Sequence, residues 1–194
     1  MANSLANKIK VVALDFDGVL TSLDINWKVA IRHASKLVGY DVKSLISFYE
    51  NNFNTPDFKK VSDEMEKIEM KAVKTSSILP CVKEALKKIS EKHIEVYIVS
   101  MQPYQVIKEF NDKNEISSFF ESIITREKYP SKKDQIGFLI EETGLSPGQL
   151  LLVDDSKRNI NVCSELGITC FLFDFRKNEK ESKKNWNRVL NLLN

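Results

Sequence analysis

Five short runs of apolar residues, separated by helical patterns, constrain the fold of this chain most. They are IKVVALDF (9–16), IEVYIVS (94–100), ESIIT (121–125), QLLLVDD (149–155) and TCFLFDF (169–175). Four of the five are nearly continuous in Val, Ile, Leu and Phe, which is typical of strands buried on both faces of a parallel sheet. Strands that alternate with helices along the chain favour a doubly wound α/β fold.

The helical patterns between these runs carry signals for helix starts and ends. In SKKDQIGFLIEETG (131–144), Ser131 is predicted to cap the start of a helix and Gly144 to end it, and SKRNINVCSELG (156–167) is predicted to end at Gly167 in the same way. PCVKEALKKIS (80–90) and KNWNRVLNLLN (184–194) are amphipathic. We therefore predict an α/β protein with a mainly parallel, five-stranded Rossmann-like sheet covered by helices.

The connection between the first two strands is too long for a simple crossover, which needs roughly 30 residues. The surplus, about residues 22–76, contains NWKVAIRHASKLV (26–38) and PDFKKVSDEMEKIEMKAVK (56–74), whose apolar residues recur at steps of three and four. We predict that residues 22–76, called the insert below, form a small all-helical domain. Residues 1–21 and 77–194 are then the α/β core domain.

Composition and charge limit the partners of the protein. The net charge is +2, and acidic and basic residues are interspersed, which indicates no nucleic-acid partner. No apolar run approaches ~18 residues, and the N-terminus lacks the apolar run of a signal peptide, so we predict neither a membrane span nor export. The three cysteines form no C-x-x-C pair and are expected to be reduced. A cytoplasmic monomer or homodimer is the expectation.

Acidic residues collect at the ends of the predicted strands. Asp15 and Asp17 follow the first strand, Ser100 ends the second, and Asp154 and Asp155 end the fourth. Ligands of open α/β sheets bind beyond the carboxyl ends of the strands, so these side chains are expected to meet at one rim. Carboxylates this close repel one another unless a cation lies between them, and Mg²⁺ prefers oxygen ligands. We predict a Mg²⁺ site at this rim.

These residues resemble the motifs of the haloacid dehalogenase-like phosphohydrolases. Asp15-Phe16-Asp17-Gly18-Val19-Leu20 is similar to the first motif, VYIVS ending in Ser100 to the second, a lysine of SKKD to the third, and LLVDDSKRN to the fourth. The order of the motifs agrees over roughly residues 9–175. The resemblance implies a Mg²⁺-dependent phosphatase for a small phosphorylated metabolite, with the insert as a cap over the site.

The resemblance also assigns roles to individual residues. It implies that Asp15 is the nucleophile and a metal ligand, and that Asp17 is the general acid and base, with its backbone carbonyl on the metal. Ser100 would donate to the transferring phosphoryl group. Asp155 would be a further metal ligand, with Asp154 as second ligand or as a partner behind the metal.

Two positions stay open at this level. Lys132 and Lys133 are both available for the third motif, and the spacing to the following helix favours Lys132. Pro130 precedes the lysines, whereas relatives commonly have Lys-Pro, which leaves the register open. Asn159 stands where many relatives carry an acid, and it is either a supporting residue behind the metal or a helix-surface residue.

The first helix of the insert carries a basic stripe. Lys28, Arg32 and Lys36 recur at steps of four, and we predict that Lys28 and Arg32, with His33 as a further candidate, bind the leaving group when the insert closes as a mobile lid. A phosphomutase of the β-phosphoglucomutase kind shares the motifs and remains an alternative. A catalytically silent phosphate-binding relative is the second alternative.

Overall fold

The computed structural model describes residues 8–174 and 179–194. Its strands are β1 (Val11–Leu14), β2 (Glu95–Val99), β3 (Ser122–Ile124), β4 (Leu150–Asp154) and β5 (Thr169–Leu172). Each lies within one of the five predicted runs and is shorter than it. Residues 1–7, on which the prediction about a signal peptide rests, and residue 175, the last of the fifth run, lie outside the described residues.

The five strands form one parallel sheet in the order β3-β2-β1-β4-β5. The central strand β1 pairs with β2 and β4, and all four of its residues are fully buried. Residues that alternate along β1 contribute to apolar clusters on opposite faces of the sheet, Val12 and Leu14 to one and Val11 and Ala13 to the other. This is the arrangement that the continuous apolar runs predict, and the predicted fold class is confirmed.

Helices cover both faces and build the insert. Their bounds are α1 (Trp27–Val38), α2 (Leu45–Asn52), α3 (Pro56–Thr75), α4 (Val82–Ser90), α5 (Tyr104–Lys113), α6 (Lys132–Thr143), α7 (Lys157–Ser164) and α8 (Glu179–Asn191). Ser131 caps α6 by accepting from the Asp134 N–H at 3.1 Å, and Gly144 ends α6 in the left-handed region.

The bounds of two helices differ from the prediction. Helix α7 ends at Ser164, before Gly167, because its last turn tightens: the N–H of Leu166 donates to the Cys163 carbonyl, and that of Gly167 donates to Ser164. Helix α8 spans Glu179–Asn191, so it includes five residues before the predicted start at 184 and stops three residues before the predicted end at 194. The first-turn residues of α8 are polar, so a search for recurring apolar residues does not detect this part of the helix.

The insert consists of α1, α2 and α3 around its own apolar cluster, which Met101 joins from the loop after β2. Its two connections to the core lie side by side: the Thr21 hydroxyl donates to the Ser77 carbonyl at 2.9 Å, and the Leu79 N–H donates to the Leu20 carbonyl at 2.9 Å. That residues 22–76 behave as a separate domain stays a prediction. Within residues 8–174 and 179–194, no helix has both the length and the apolar character needed to cross a bilayer.

Candidate active site

The ends of β1 and β4 bring three carboxylates together. Asp15, Asp154 and Asp155 each place an oxygen within 4.8 Å of the others. Gly18 makes room for one of them, since a Cβ at this position would lie 2.3 Å from Oδ2 of Asp155. Its φ of +94° also lies in the region that favours glycine. The glycine after the two aspartates is therefore required both by its backbone conformation and by the approach of Asp155.

Lys132 lies beneath this cluster. Its ammonium group is 2.8 Å from Oδ1 of Asp15 and 3.2 Å from Oδ2 of Asp154, and it also donates to the Val99 carbonyl. Burial opposes the charge of Lys132, but the two carboxylates outweigh it and raise its pKa, so the lysine is a cation. Lys133 points away and pairs with Glu165 at 2.7 Å on the surface. Of the two lysines, Lys132 is the one placed at the acid cluster.

The cluster carries more negative charge than Lys132 neutralises. Burial raises the pKa of Asp15 to about 6, with Lys132 opposing and Asp154 reinforcing the shift. Partial burial, followed by the charges of Asp15 and Asp154, raises the pKa of Asp155 to about 7. Protons or a cation must relieve this repulsion at neutral pH. A set of hard carboxylate oxygens around a gap fits Mg²⁺, so the residues present match the predicted metal.

Asp154 and Asn159 form the layer behind the cluster. Asp154 is fully buried and accepts hydrogen bonds from the Ser156 N–H at 2.8 Å and from Nδ2 of Asn159 at 3.2 and 3.1 Å. With Lys132 added, both carboxylate oxygens have protein donors. This favours Asp154 as a partner behind the metal over Asp154 as a ligand. Asn159 is 5% exposed and supports Asp154, so it is not a helix-surface residue.

The remaining predicted groups lie at the same rim. Asp17 lines the pocket, and one of its oxygens accepts from the Leu23 N–H at 2.8 Å. Ser100 is fully buried, and its hydroxyl donates to the side-chain oxygen of Gln102, which covers it. A phosphoryl oxygen that binds to Ser100 must therefore displace the Gln102 side chain.

Asp15 and Asp155 of this cluster form the floor of a cavity of about 310 Å³ between the sheet and the insert, and Asp154 lies behind them. Its insert wall is mainly apolar and includes Trp27 and Ile31 of α1. The prediction for Lys28 and Arg32 is not supported by this geometry, because both are exposed and neither is among the residues that line the cavity. Each lies one residue further along α1 than a lining residue, about 100° around the helix.

His33 does not reach this cavity either. It pairs with Glu64 at 3.4 Å, between α1 and α3 of the insert. The third member of the basic stripe, Lys36, is also exposed. The stripe is a solvated face of α1, as charged helix stripes usually are.

A buried ion pair in the cavity wall was missed at the sequence level. Arg126, in the loop after β3, binds Glu69 of α3 through two nitrogens at 2.8 Å each, and both side chains are at most 2% exposed. The guanidinium carbon also lies 4.9 Å from the ring centre of Tyr49. One signal was available: Glu69 follows Met65 by four residues on the apolar face of α3, and a buried carboxylate requires a partner.

Comparison with known proteins defines the family. The sequence model of the haloacid dehalogenase-like hydrolase family matches residues 3–173 of this chain. This span includes all four motifs, so the chain belongs to the haloacid dehalogenase-like hydrolase family. The resemblance seen in the motifs is confirmed.

Individual relatives are distant. A phosphoglycolate phosphatase of Vibrio cholerae is 25% identical over 198 residues, which cover 89% of this chain and 88% of that protein. A predicted phosphoglycolate phosphatase of Haemophilus somnus has a similar structure, with a TM-score of 0.69, 18% identity and coverage of 96% and 98% of the two chains. An enzyme of the family from Bacteroides thetaiotaomicron, in complex with magnesium and inorganic phosphate, gives a TM-score of 0.60 at 20% identity over 88% and 96%.

Proposed function

We propose that this protein is a Mg²⁺-dependent phosphatase that hydrolyses a small phosphomonoester through a phosphoaspartate at Asp15. The observation that carries the proposal is the position of Lys132, which pairs with Asp15 beneath a cluster that retains excess negative charge. A nucleophilic carboxylate needs such neighbouring positive charge when it approaches a phosphate dianion. Membership of the family supports the same chemistry.

The proposed roles follow from the placement of the groups. Asp15 attacks phosphorus, and Lys132 compensates the charge of the nucleophile and of the phosphoryl oxygens. Asp17 lies two residues away at the rim of the pocket, where it protonates the leaving oxygen and later takes a proton from water. Ser100 donates to the phosphoryl group after Gln102 moves aside. Asp15, Asp155 and the Asp17 carbonyl would hold Mg²⁺, which would supply positive charge to the phosphoryl oxygens.

The cavity favours a small substrate. It has about 310 Å³ for the substrate and its phosphoryl group, with an apolar wall on the insert side. Similarity to phosphoglycolate phosphatases makes phosphoglycolate the first substrate to test. Among the lining residues, Arg126 and Lys132 are the basic ones, and each is already paired with a carboxylate. A leaving group, including the carboxylate of glycolate, would therefore be recognised by shape and by neutral polar groups rather than by a free cation.

The test is release of inorganic phosphate from phosphoglycolate and from a panel of small phosphomonoesters, with Mg²⁺ or with EDTA. We expect turnover that EDTA abolishes and that Mg²⁺ restores. The variant Asp15→Asn is the matched control, because an amide cannot form the acyl phosphate. Phosphate release that persists in this variant or in EDTA contradicts the proposal. Transfer of phosphate to a second sugar hydroxyl would identify the phosphomutase alternative, and metal-dependent phosphate binding without turnover would identify the silent relative.

A further inference from the structure

We propose that Arg126 is a positioning residue that orients the Ser100–Gln102 loop for phosphoryl transfer and joins this loop to the insert. The inference rests on the proposed function, since it assigns the loop a role in binding the phosphoryl group. It is carried by the contacts of one fully buried guanidinium group with α2, with α3 and with the loop after β2.

Every N–H of the guanidinium group has an acceptor within the protein. Nε donates to the Ser62 hydroxyl at 3.1 Å, and Nη1 donates to Oε1 of Glu69 and to the Met101 carbonyl, both at 2.8 Å. Nη2 donates to Oε2 of Glu69 at 2.8 Å and to the Ser62 carbonyl at 3.3 Å. An arginine has five such hydrogens, so none is left for a substrate. Arg126 lines the cavity, but its hydrogen bonds hold neighbouring protein groups in place rather than bind a ligand.

The contact with Met101 acts on the loop that carries Ser100. The Ser100 carbonyl accepts from Nε2 of Gln135 at 2.8 Å, and the next carbonyl along the chain, that of Met101, accepts from Arg126. The carbonyl and the following N–H of a planar trans peptide point in opposite directions. Fixing the Met101 carbonyl therefore fixes the Gln102 N–H, which points to the Ser100 hydroxyl oxygen at 3.3 Å.

The other contacts of Arg126 belong to the insert. Ser62 and Glu69 lie on α3, and the Tyr49 ring that packs against the guanidinium group lies on α2. Moving α3 away from the core would separate a desolvated ion pair, which is strongly unfavourable. This opposes a movement of the whole insert as a mobile lid. A single side chain thus ties the position of the insert to the geometry of the loop that binds the phosphoryl group.

The test separates positioning of the loop from attachment of the insert. In the double variant Arg126→Met/Glu69→Met, two apolar side chains of similar length replace the ion pair, so the insert can stay packed while the Met101 carbonyl loses its donor. Lys113→Met is the matched control. Lys113 donates to the carbonyls of Val73, Lys74 and Ser76 at the end of α3, and it attaches the insert without touching the loop.

We expect kcat of the folded double variant to fall by about 10- to 100-fold, and by the same factor for p-nitrophenyl phosphate and for the best natural phosphomonoester, because the loop contacts the phosphoryl group common to both. The control should keep kcat within about 3-fold. A folded double variant with wild-type kcat overturns the inference, and so does a loss confined to KM of one substrate.

Two further measurements keep the outcome decisive. If the double variant does not fold, Arg126→Lys is measured instead. A lysine can pair with Glu69 but cannot reproduce the planar set of five donors. Wild-type kcat in Arg126→Lys likewise overturns the inference. Where wild type lacks phosphatase activity, the proposed function has failed. In that case, NMR of the Gln102 amide tests the inference. The amide resonance should shift in the Arg126 variant and not in Lys113→Met, and an unchanged resonance in the Arg126 variant overturns the inference.

Discussion

Two buried cations line the same cavity, and their surroundings differ in charge balance. Lys132 faces Asp15 and Asp154, with Asp155 close by, so the carboxylates outnumber the cation. Arg126 faces one carboxylate, that of Glu69, in a bidentate pair. Burial opposes the charge of Arg126, but Glu69 outweighs it and raises the pKa of the arginine, whereas burial outweighs Arg126 and raises the pKa of Glu69. The two parallel contacts of 2.8 Å are the geometry of an ion pair, which is neutral overall.

This difference in charge balance distinguishes a site that requires a bound ligand from a site that stabilises the surrounding structure. A balanced and saturated pair satisfies its own hydrogen bonds and charge, and it stabilises one arrangement of the chain. In an unbalanced cluster, repulsion between the carboxylates lowers the free energy of unfolding unless a cation binds. Such an excess of like charge is typical of a functional site. Substitutions in the two sites should therefore act on different quantities.

The largest effect is expected at Lys132. Lys132→Met leaves the nucleophile without its neighbouring positive charge, so kcat should fall by about 10³-fold or more, equivalent to ~4 kcal/mol of transition-state stabilisation. Lys133→Met is the matched control, because Lys133 pairs with Glu165 on the surface, and its kcat should stay within about 2-fold. Steady-state assays of the two variants decide the register of the third motif, and a severe loss in Lys133→Met alone would reverse the assignment.

The second effect is on stability, at Arg126. The single variant Arg126→Met leaves the Glu69 carboxylate buried without a partner, which is expected to reduce the free energy of unfolding by ~3–5 kcal/mol. For a chain of this length, this corresponds to a decrease in Tm of about 6 °C or more. Thermal unfolding followed by circular dichroism measures it. The double variant with Glu69→Met should recover a large part of the loss, and a double variant as unstable as the single one would show that the pair is not what the substitution disrupts.

The third substitution, at Asp155, is expected to raise stability rather than lower it. Asp155→Asn removes one charge from the unbalanced cluster, so Tm in EDTA should rise, by ~2–4 °C for at most about 1 kcal/mol after solvent screening. The increase of Tm that Mg²⁺ produces in wild type should disappear, because the variant lacks a metal ligand. Differential scanning fluorimetry with EDTA and with Mg²⁺ measures both. A variant that loses stability in EDTA would mean that the cluster is not under repulsion.

The sequence predicts the sheet and the acid cluster for related physical reasons. Strands buried on both faces must be apolar, so the five runs are visible as composition alone. Parallel strands end at the same edge, so acids that follow β1 and β4 are expected to meet without any knowledge of the strand order. These features depend on local pattern and on one general rule of α/β topology.

The insert wall depends on contacts that local pattern does not contain. Arg126 and Glu69 are 57 residues apart, and a single arginine after a strand has no periodicity that reveals its partner. The periodicity of α1 separates Trp27 and Ile31 from Lys28 and Arg32, but it does not state which stripe faces the cavity. That depends on how the insert packs on the core, which long-range contacts such as the packing of Met101 in the apolar cluster of the insert determine.

The smallest effect is expected at a second ion pair between the insert and the core. Arg158 of α7 contacts Glu50 of α2 at 2.6 and 2.8 Å, and the two side chains are 45% and 25% exposed. The contact has the same chemistry as the Arg126–Glu69 pair, but water solvates both groups and salt screens them. Arg158→Ala should therefore change the free energy of unfolding by about 0.5 kcal/mol or less, a Tm shift of ~2 °C at most.

The same variant tests which part of the insert moves. Arg126 and Lys113 hold α3 on the core. Helix α2 is held by the packing of the Tyr49 ring on Arg126 and, near the cavity, by Arg158 through a solvated contact that opens at little cost in free energy. If α2 opens to admit substrate, Arg158→Ala should favour the open state, so that KM rises by about 2- to 3-fold with kcat nearly unchanged. Steady-state kinetics at low and high salt measure this, because salt should weaken the wild-type contact and leave the variant unaffected. A decrease of Tm in Arg158→Ala as large as that in Arg126→Met would show that burial is not what distinguishes the two pairs.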